Sequence, residues 1–226
     1  IGTPSSESSS ESSRRKTGAS SSDSSLSQLP GVAGRTAATF FGAEAFFADH
    51  PRTDRLRPGT FPHGAYTVGP ENLKIAKKLA DDHGALFSTH AAETRTEQQT
   101  VQDSYGASVI RHMEALGILD ARTILAHCVH CDDEEIAILA RTGAVVAHNP
   151  VSNLKLASGF ARIPDMLEKG VHVTLGTDGA ISGNDIDMWL ALRLAATLHK
   201  AASGRADALE AAAARMPRTV GSTVGR

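Results

Sequence analysis

The sequence has almost no net charge: 23 Lys and Arg stand against 25 Asp and Glu, leaving −2 at neutral pH. So even a balance offers no basic face for nucleic acid. Cysteine is nearly missing too. Cys128 and Cys131 are the only two, too few for a disulfide framework, so the cytoplasm, a reducing compartment, is the simpler expectation. No apolar run approaches the roughly 20 residues of a membrane span, so no membrane association is expected. The first residue is Ile1 rather than Met, and no apolar signal segment follows it. A fragment, a processed product or a faulty gene model is the expectation at that end.

What is present is enough for one domain or slightly more. The chain has 226 residues and a 41% apolar fraction, but the apolar residues are unevenly spread. Thirteen of the first 29 residues are Ser, interrupted by the basic run Arg14-Arg15-Lys16. Such a stretch cannot bury enough apolar surface to offset its ordering entropy, so residues 1–35 are expected to be a disordered Ser-rich tail. Residues 36–49 hold Phe40, Phe41, Phe46 and Phe47 and suggest a short, largely buried helix. From residue 55 the pattern becomes regular. Strands are expected at 55–61, 85–89, 123–126, 144–147 and 171–175. Helices are expected from Pro70 to His83-Gly84 with Leu73, Ile75, Ala76 and Leu79 facing inward, and over 97–116 with a break near Tyr105-Gly106. Further helices should run from the acidic start Asp132-Asp133-Glu134-Glu135 to Thr142-Gly143, over 160–169, and over 185–202. Strands alternating with helices argue for an α/β fold with a parallel sheet.

Five segments end an apolar run on a polar residue of catalytic type: His63, His90, His127, His148 and Asp178. Their spacings of 27, 37, 21 and 30 residues are each the length of a strand, a loop, a helix and a loop. A reactive side chain at the carboxyl end of successive strands is how a βα barrel builds an active site. Histidines with a carboxylate are also the donors that zinc takes. Five strands are readable where a closed barrel needs eight, so the expected fold is a partial TIM-type (β/α) barrel over residues 36–206. A C-terminal helix and tail, 207–226, should follow. A lone histidine at a strand end is more often structural, but five such positions in register favour an active site.

The segments His90-Ala91-Ala92-Glu93-Thr94 and Ala126-His127-Cys128-Val129-His130 resemble the amidohydrolase superfamily. So do His148-Asn149-Pro150-Val151-Ser152-Asn153-Leu154-Lys155-Leu156 and Leu175-Gly176-Thr177-Asp178-Gly179. The branch they resemble holds methylthioadenosine/S-adenosylhomocysteine deaminases and triazine chlorohydrolases. Pro62-His63-Gly64-Ala65-Tyr66-Thr67 is similar to a further family segment but departs from it at Gly64 and Ala65. The family also uses a His-x-His pair on its first strand, and this sequence contains none.

The resemblance implies a role for each matching residue. His90 and Asp178 correspond to metal ligands, for zinc or another divalent metal such as iron. Such a metal lowers the pKa of its water to about 7 and so supplies hydroxide. Asp178 then also stands as general base. Glu93 resembles the proton shuttle to the ring nitrogen, and His127 the group that polarises the attacking water. Ser182 matches a position that contacts the base, while His63 and His148 are expected to line the substrate pocket. The implied activity is hydrolytic deamination of an adenosine-type or other N-heterocyclic small molecule. The alternatives are a non-catalytic remnant without the His-x-His ligands, or a triazine-type dechlorinase. A partial barrel with open edges is also expected to form homo-oligomers. Cys128 and Cys131 make only a weak zinc motif. His50, His83, His112, His172 and His199 fall on helices or loops and are expected in solvent. Gly176 and Gly179 are expected to let the backbone approach the site closely.

Overall fold

The computed structural model describes residues 42–209. The Ser-rich tail, Phe40, Phe41 and all but the first three residues of the expected C-terminal helix and tail lie outside them. Residues 42–49 form helix α1. It is not largely buried: Phe47 is 5% exposed and stacks on His83, whereas Phe46 is 46% exposed. Among the described residues of this helix, Phe47 is the one buried side chain.

Five parallel strands follow, β1 Gly59–Thr60, β2 Leu86–Ala91, β3 Thr123–His127, β4 Val145–His148 and β5 His172–Leu175. The sheet order is β1-β2-β3-β4-β5, so each strand pairs with its chain neighbour and all carboxyl ends lie at one end. The expected strand over 55–61 shrinks to two residues. Arg55 and Arg57 sit in an exposed loop before it, and Pro58 lacks an amide for the ladder. The chain rejoins β2 further on, where Gly64 bridges to His90.

Helix α2, Pro70–Asp82, has proline at its start and stops at His83-Gly84, with Gly84 at φ +59°. It packs on β1 and β2. Its buried face is Leu73, Ala76, Lys77, Leu79 and Ala80, while Ile75 is 46% exposed. At 100° per residue Ile75 lies about 160° round from Leu73, so the expectation that it faces inward fails. Lys77 is buried only because Asp81 and Asp120 hold its ammonium, at 2.5 and 2.7 Å.

The remaining helices are α3 Arg95–Tyr105, α4 Val109–Ala115, α5 Asp133–Thr142, α6 Pro150–Lys155, α7 Ile163–Glu168, α8 Ala180–Gly183 and α9 Met188–Ser203. Gly106 at φ +70° divides α3 from α4, at the expected break. Asp132 and Glu135 form a reciprocal capping box on α5, and Gly143 ends it. Helix α7 starts three residues later than expected, and α6 and α8 were not anticipated. On β2 the side chains alternate. Phe87, Thr89 and Ala91 are buried, and Leu86, Ser88 and His90 are half-buried. The buried side belongs to the core with Leu73, Leu125, Val146 and Ile136. The half-buried side is the one a closed barrel would turn inward.

Candidate active site

The carboxyl ends of β2, β3 and β5 bring four of the singled-out side chains together. His90 lies within β2 and its ring stacks at 5.4 Å on that of His127. The Nδ1 of His90 is 2.7 Å from the carbonyl oxygen of His63. A carbonyl only accepts, so Nδ1 carries the proton and Nε2 presents its lone pair.

His127 ends β3 and is buried. Strict alternation would place it with Leu125 on the helix-packed side. Its φ of +77° breaks the pleat there, and the ring reaches His90. Its Nδ1 donates to Asn153 Oδ1 at 2.9 Å, so its Nε2 is also the bare nitrogen. That nitrogen stands 3.8 Å from Glu93 Oε2 and 3.9 Å from Asp178 Oδ2. Ala92 and Asp178 also adopt positive φ, 51° and 59°. Left-handed backbone at a non-glycine residue costs of order 1–3 kcal/mol and gathers at functional sites.

Asp178 follows β5 by three residues. Ser152 Oγ donates to its Oδ2 at 2.7 Å, and the Gly179 amide to its Oδ1 at 2.7 Å. Burial alone would push this carboxyl up. The two hydrogen bonds, with His127 and His90 nearby, outweigh that and hold it below the ordinary aspartate value. Glu93 Oε1 accepts from Ser158 Oγ at 3.1 Å. The Glu93 amide donates to Glu97 Oε2 at 2.7 Å. Burial raises the Glu97 pKa, opposed by the Glu93 amide that donates to its carboxylate.

The other expected residues lie further out. His63 is exposed at the rim, bonded to Thr67 Oγ1 at 2.9 Å and ring-packed on His90 at 4.8 Å. Ser182 is half-buried in the one-turn helix α8 just beyond Asp178. His148 is fully buried, with its Nε2 3.2 Å from His199 Nε2. Its Nδ1 has no partner among the described residues. Burial, with His199 and His127 close by, pushes its pKa down to about 3. His199 and His112 are therefore not in solvent, being 3% and 7% exposed. His172 lies on β5 rather than a helix or loop, though it is exposed. Gly176 does permit a close approach: a β-carbon there would collide with Asn149 Oδ1. Gly179 meets open space and instead precedes α8.

Sequence reading missed Ser152, Asn153, Ser158 and Glu97 as parts of the site. The spacing Thr94-x-x-Glu97, a capping pattern, was the available signal for Glu97. Its carboxylate reaches one residue further back than in the usual box, to the Glu93 amide.

The donors suit a divalent metal in kind. His90 offers a bare Nε2, and Asp178 is held as a carboxylate. In number they fall short: among the described residues no group of three or more His, Cys, Asp or Glu is placed to hold an ion.

The chain matches the amidohydrolase family over residues 42–216. It is 46% identical over 139 residues to a 5'-deoxyadenosine deaminase of Methanopyrus kandleri, covering 62% of this chain and 32% of that one. It is 48% identical over 146 residues to a 5-methylthioadenosine/S-adenosylhomocysteine deaminase of Dictyoglomus thermophilum, covering 65% and 34%. The chain thus spans about a third of the length of these curated relatives. Its fold superposes on an adenosine deaminase from Xanthomonas campestris with bound zinc, with a TM-score of 0.74 and 33% identity over 78% of this chain and 40% of that one. An atrazine chlorohydrolase from Arthrobacter aurescens, complexed with zinc, shares the fold with a TM-score of 0.72 at 24% identity, over 81% and 44%. The parallel sheet, the residues at its carboxyl end and these likenesses agree: the chain belongs to the amidohydrolase family.

Proposed function

We propose that the carboxyl end of this sheet serves a metal-dependent hydrolytic deaminase acting on an adenosine-type small molecule. The observation that carries the reading is the convergence of Glu93 and Asp178 on the bare Nε2 of His127, at 3.8 and 3.9 Å. His90 and Asp178 are the residues that would hold zinc. The metal would supply Lewis-acid activation of water near neutral pH. The chain's own residues do the proton work. Asp178, kept ionised by Ser152 and Gly179, takes the proton of the attacking water. His127, oriented by Asn153, holds that water by its unprotonated nitrogen. Glu93, steadied by Ser158, protonates the ring nitrogen next to the attacked carbon. The water oxygen adds to that carbon, Asp178 passes the proton it took to the amino group, the new hydroxyl returns its proton to Glu93, and ammonia leaves as the carbon–nitrogen bond breaks. His63 and Ser182 line the mouth that receives the ring. His148 is assigned to support behind the site, since it is fully buried. The free thiols of Cys128 and Cys131 suit the cytoplasm.

A second reading, a non-catalytic scaffold, is favoured by the short ligand count and by the lack of any His-x-His in this sequence. Catalytic zinc sites ordinarily use three protein ligands. The test is ammonia release from 5'-deoxyadenosine by the zinc-loaded chain, with metal content measured alongside. Zinc-dependent release that Asp178→Asn abolishes supports the deaminase. A chain that retains no zinc and releases no ammonia supports the scaffold.

A further inference from the structure

The hydroxyl that steadies Glu93 belongs to Ser158, in the loop three residues beyond α6. The amides of Ser158 and Gly159 both point at the Asn153 carbonyl, at 2.9 and 3.5 Å. The Ser158 carbonyl is held from the other side, by His130 Nε2 at 2.8 Å. A carbonyl only accepts, so Nε2 carries the ring proton. The ring also has a fitted seat. At Gly159, φ +126°, a β-carbon would stand 3.1 Å from Val129 Cγ1 and 3.7 Å from His130 Cε1.

The backbone of His130 is pinned as well. Its amide donates to the Ala92 carbonyl at 2.9 Å, and its carbonyl accepts from Gln98 Nε2 at 2.5 Å. Gln98 is fixed in turn, since its Oε1 accepts the Val109 amide at 2.9 Å. These bonds close a circuit around Glu93. It runs from the Glu93 carboxylate to the Ser158 hydroxyl at 3.1 Å, then from the Ser158 carbonyl to the His130 ring. From the His130 amide it returns to Ala92, which is joined to Glu93 by a peptide bond. A glutamate side chain turns about several bonds, and a general acid works only within hydrogen-bond reach of the atom it protonates. The circuit fixes the carboxylate relative to its own backbone.

We propose that His130 is a positioning residue for the proton shuttle: by holding the Ser158 carbonyl, it sets where the Ser158 hydroxyl meets the Glu93 carboxylate. The chemistry that Glu93 performs rests on the deaminase reading above; the bonds that hold it do not.

The test uses the full chain, isotope-labelled at its glutamate carboxyl carbons, with the Glu93 signal identified by its loss in Glu93→Gln. His130→Phe keeps a ring beside Gly159 but has no donor, and it should move the Glu93 signal. His130→Gln, whose side-chain amide can donate to the same carbonyl, should bring the signal back. Ser158→Ala should move it too. Adding His130→Phe to Ser158→Ala should then change nothing more, because the ring acts through Ser158. A parent-like signal in His130→Phe, or a further shift in the double variant, would overturn the proposal. So would a parent His130 ring that carries its proton on Nδ1 above neutral pH, read from the ring-nitrogen shifts of labelled histidine without any variant. In zinc-loaded chain, His130→Phe should lower kcat for ammonia release from 5'-deoxyadenosine about ten-fold with KM unmoved. That lies within the roughly 10²-fold that a misplacement of about 1 Å can cost. An unchanged kcat in an active His130→Phe would also overturn the proposal. A parent that releases no ammonia sinks the deaminase reading instead, and the carboxyl signal still decides the role of His130.

Discussion

The buried His148–His199 pair should make this protein acid-sensitive well above the range in which carboxylates titrate. His148 is fully buried, its Nε2 meets His199 Nε2 at 3.2 Å, and its pKa falls to about 3. One nitrogen of the pair donates and the other accepts, so the accepting ring cannot take a second proton there without losing that bond. In the unfolded chain a histidine titrates near 6.5. Its folded value is lower, so the unfolded state binds protons first as the pH drops. The stabilisation is complete above about pH 6.5 and is lost as the pH falls from there towards 3. The slope approaches about 1.4 kcal/mol per pH unit for this one group once the pH is below 6.5, or roughly 2 kcal/mol between pH 6.5 and 4.5. That is a large share of a typical stability of about 5–15 kcal/mol. His199, His130 and His112 are lowered mainly by burial and act in the same direction. Glu97 opposes them, because its raised pKa adds stability as it protonates. Urea midpoints followed by circular dichroism at pH 7, 6, 5 and 4.5 would measure the slope. His148→Gln fills the site with a group that does not titrate and should flatten it by about 1.4 kcal/mol per unit, whatever it does to stability at pH 7. An unchanged slope in that variant would refute the reasoning.

Three further outcomes are expected. Glu93→Gln should lower kcat by roughly 10²–10⁴ in zinc-loaded protein while leaving zinc content as it was; loss of the metal instead would make Glu93 a ligand. Phe87→Ala, at a fully buried position on β2, should cost about 3–5 kcal/mol in chemical denaturation. The exposed Ile75→Ala on α2 should stay within about 0.5 kcal/mol of the parent, and equal losses at both would contradict the packing described. β1 and β5 each pair on one side only among the described residues, and Trp189 and Ile181 are 79% and 92% exposed. Self-association in sedimentation is therefore expected, and a monomer at all concentrations would count against it.

The carboxyl ends of the strands were legible because each is an apolar run stopped by a polar side chain, a pattern local to four or five residues. Helix ends at Gly84, Gly106 and Gly143 were equally local, since each needs positive φ. What failed depended on distance. Ser158 meets Glu93 across 65 residues, and Ser152 meets Asp178 across 26, and nothing in either residue's neighbourhood announces its partner. His199 reads as a polar residue on an amphipathic helix, until His148 is found beneath it. The reach of the first strand was overestimated because Val- and Ile-free segments such as 55–61 carry no strand signal beyond their ends. The helix at Pro150 could have been found, since proline favours the first helical turn.

The neighbour-by-neighbour order of the sheet has a consequence for how the molecule forms. Each pairing joins strands that follow one another in the chain, so every strand pairing closes a loop of one βα unit, and the entropic cost of closure grows only slowly with loop length. The longest register is that of β2 with β3, five residue pairs, while β1 contributes two. Assembly can begin on that central pair and extend outward one βα unit at a time as the chain emerges. Loss of structure should run in reverse. In native-state hydrogen exchange the amides of β1 and β5 should open first, and those of Leu125 and Thr89 should persist until the whole sheet lets go.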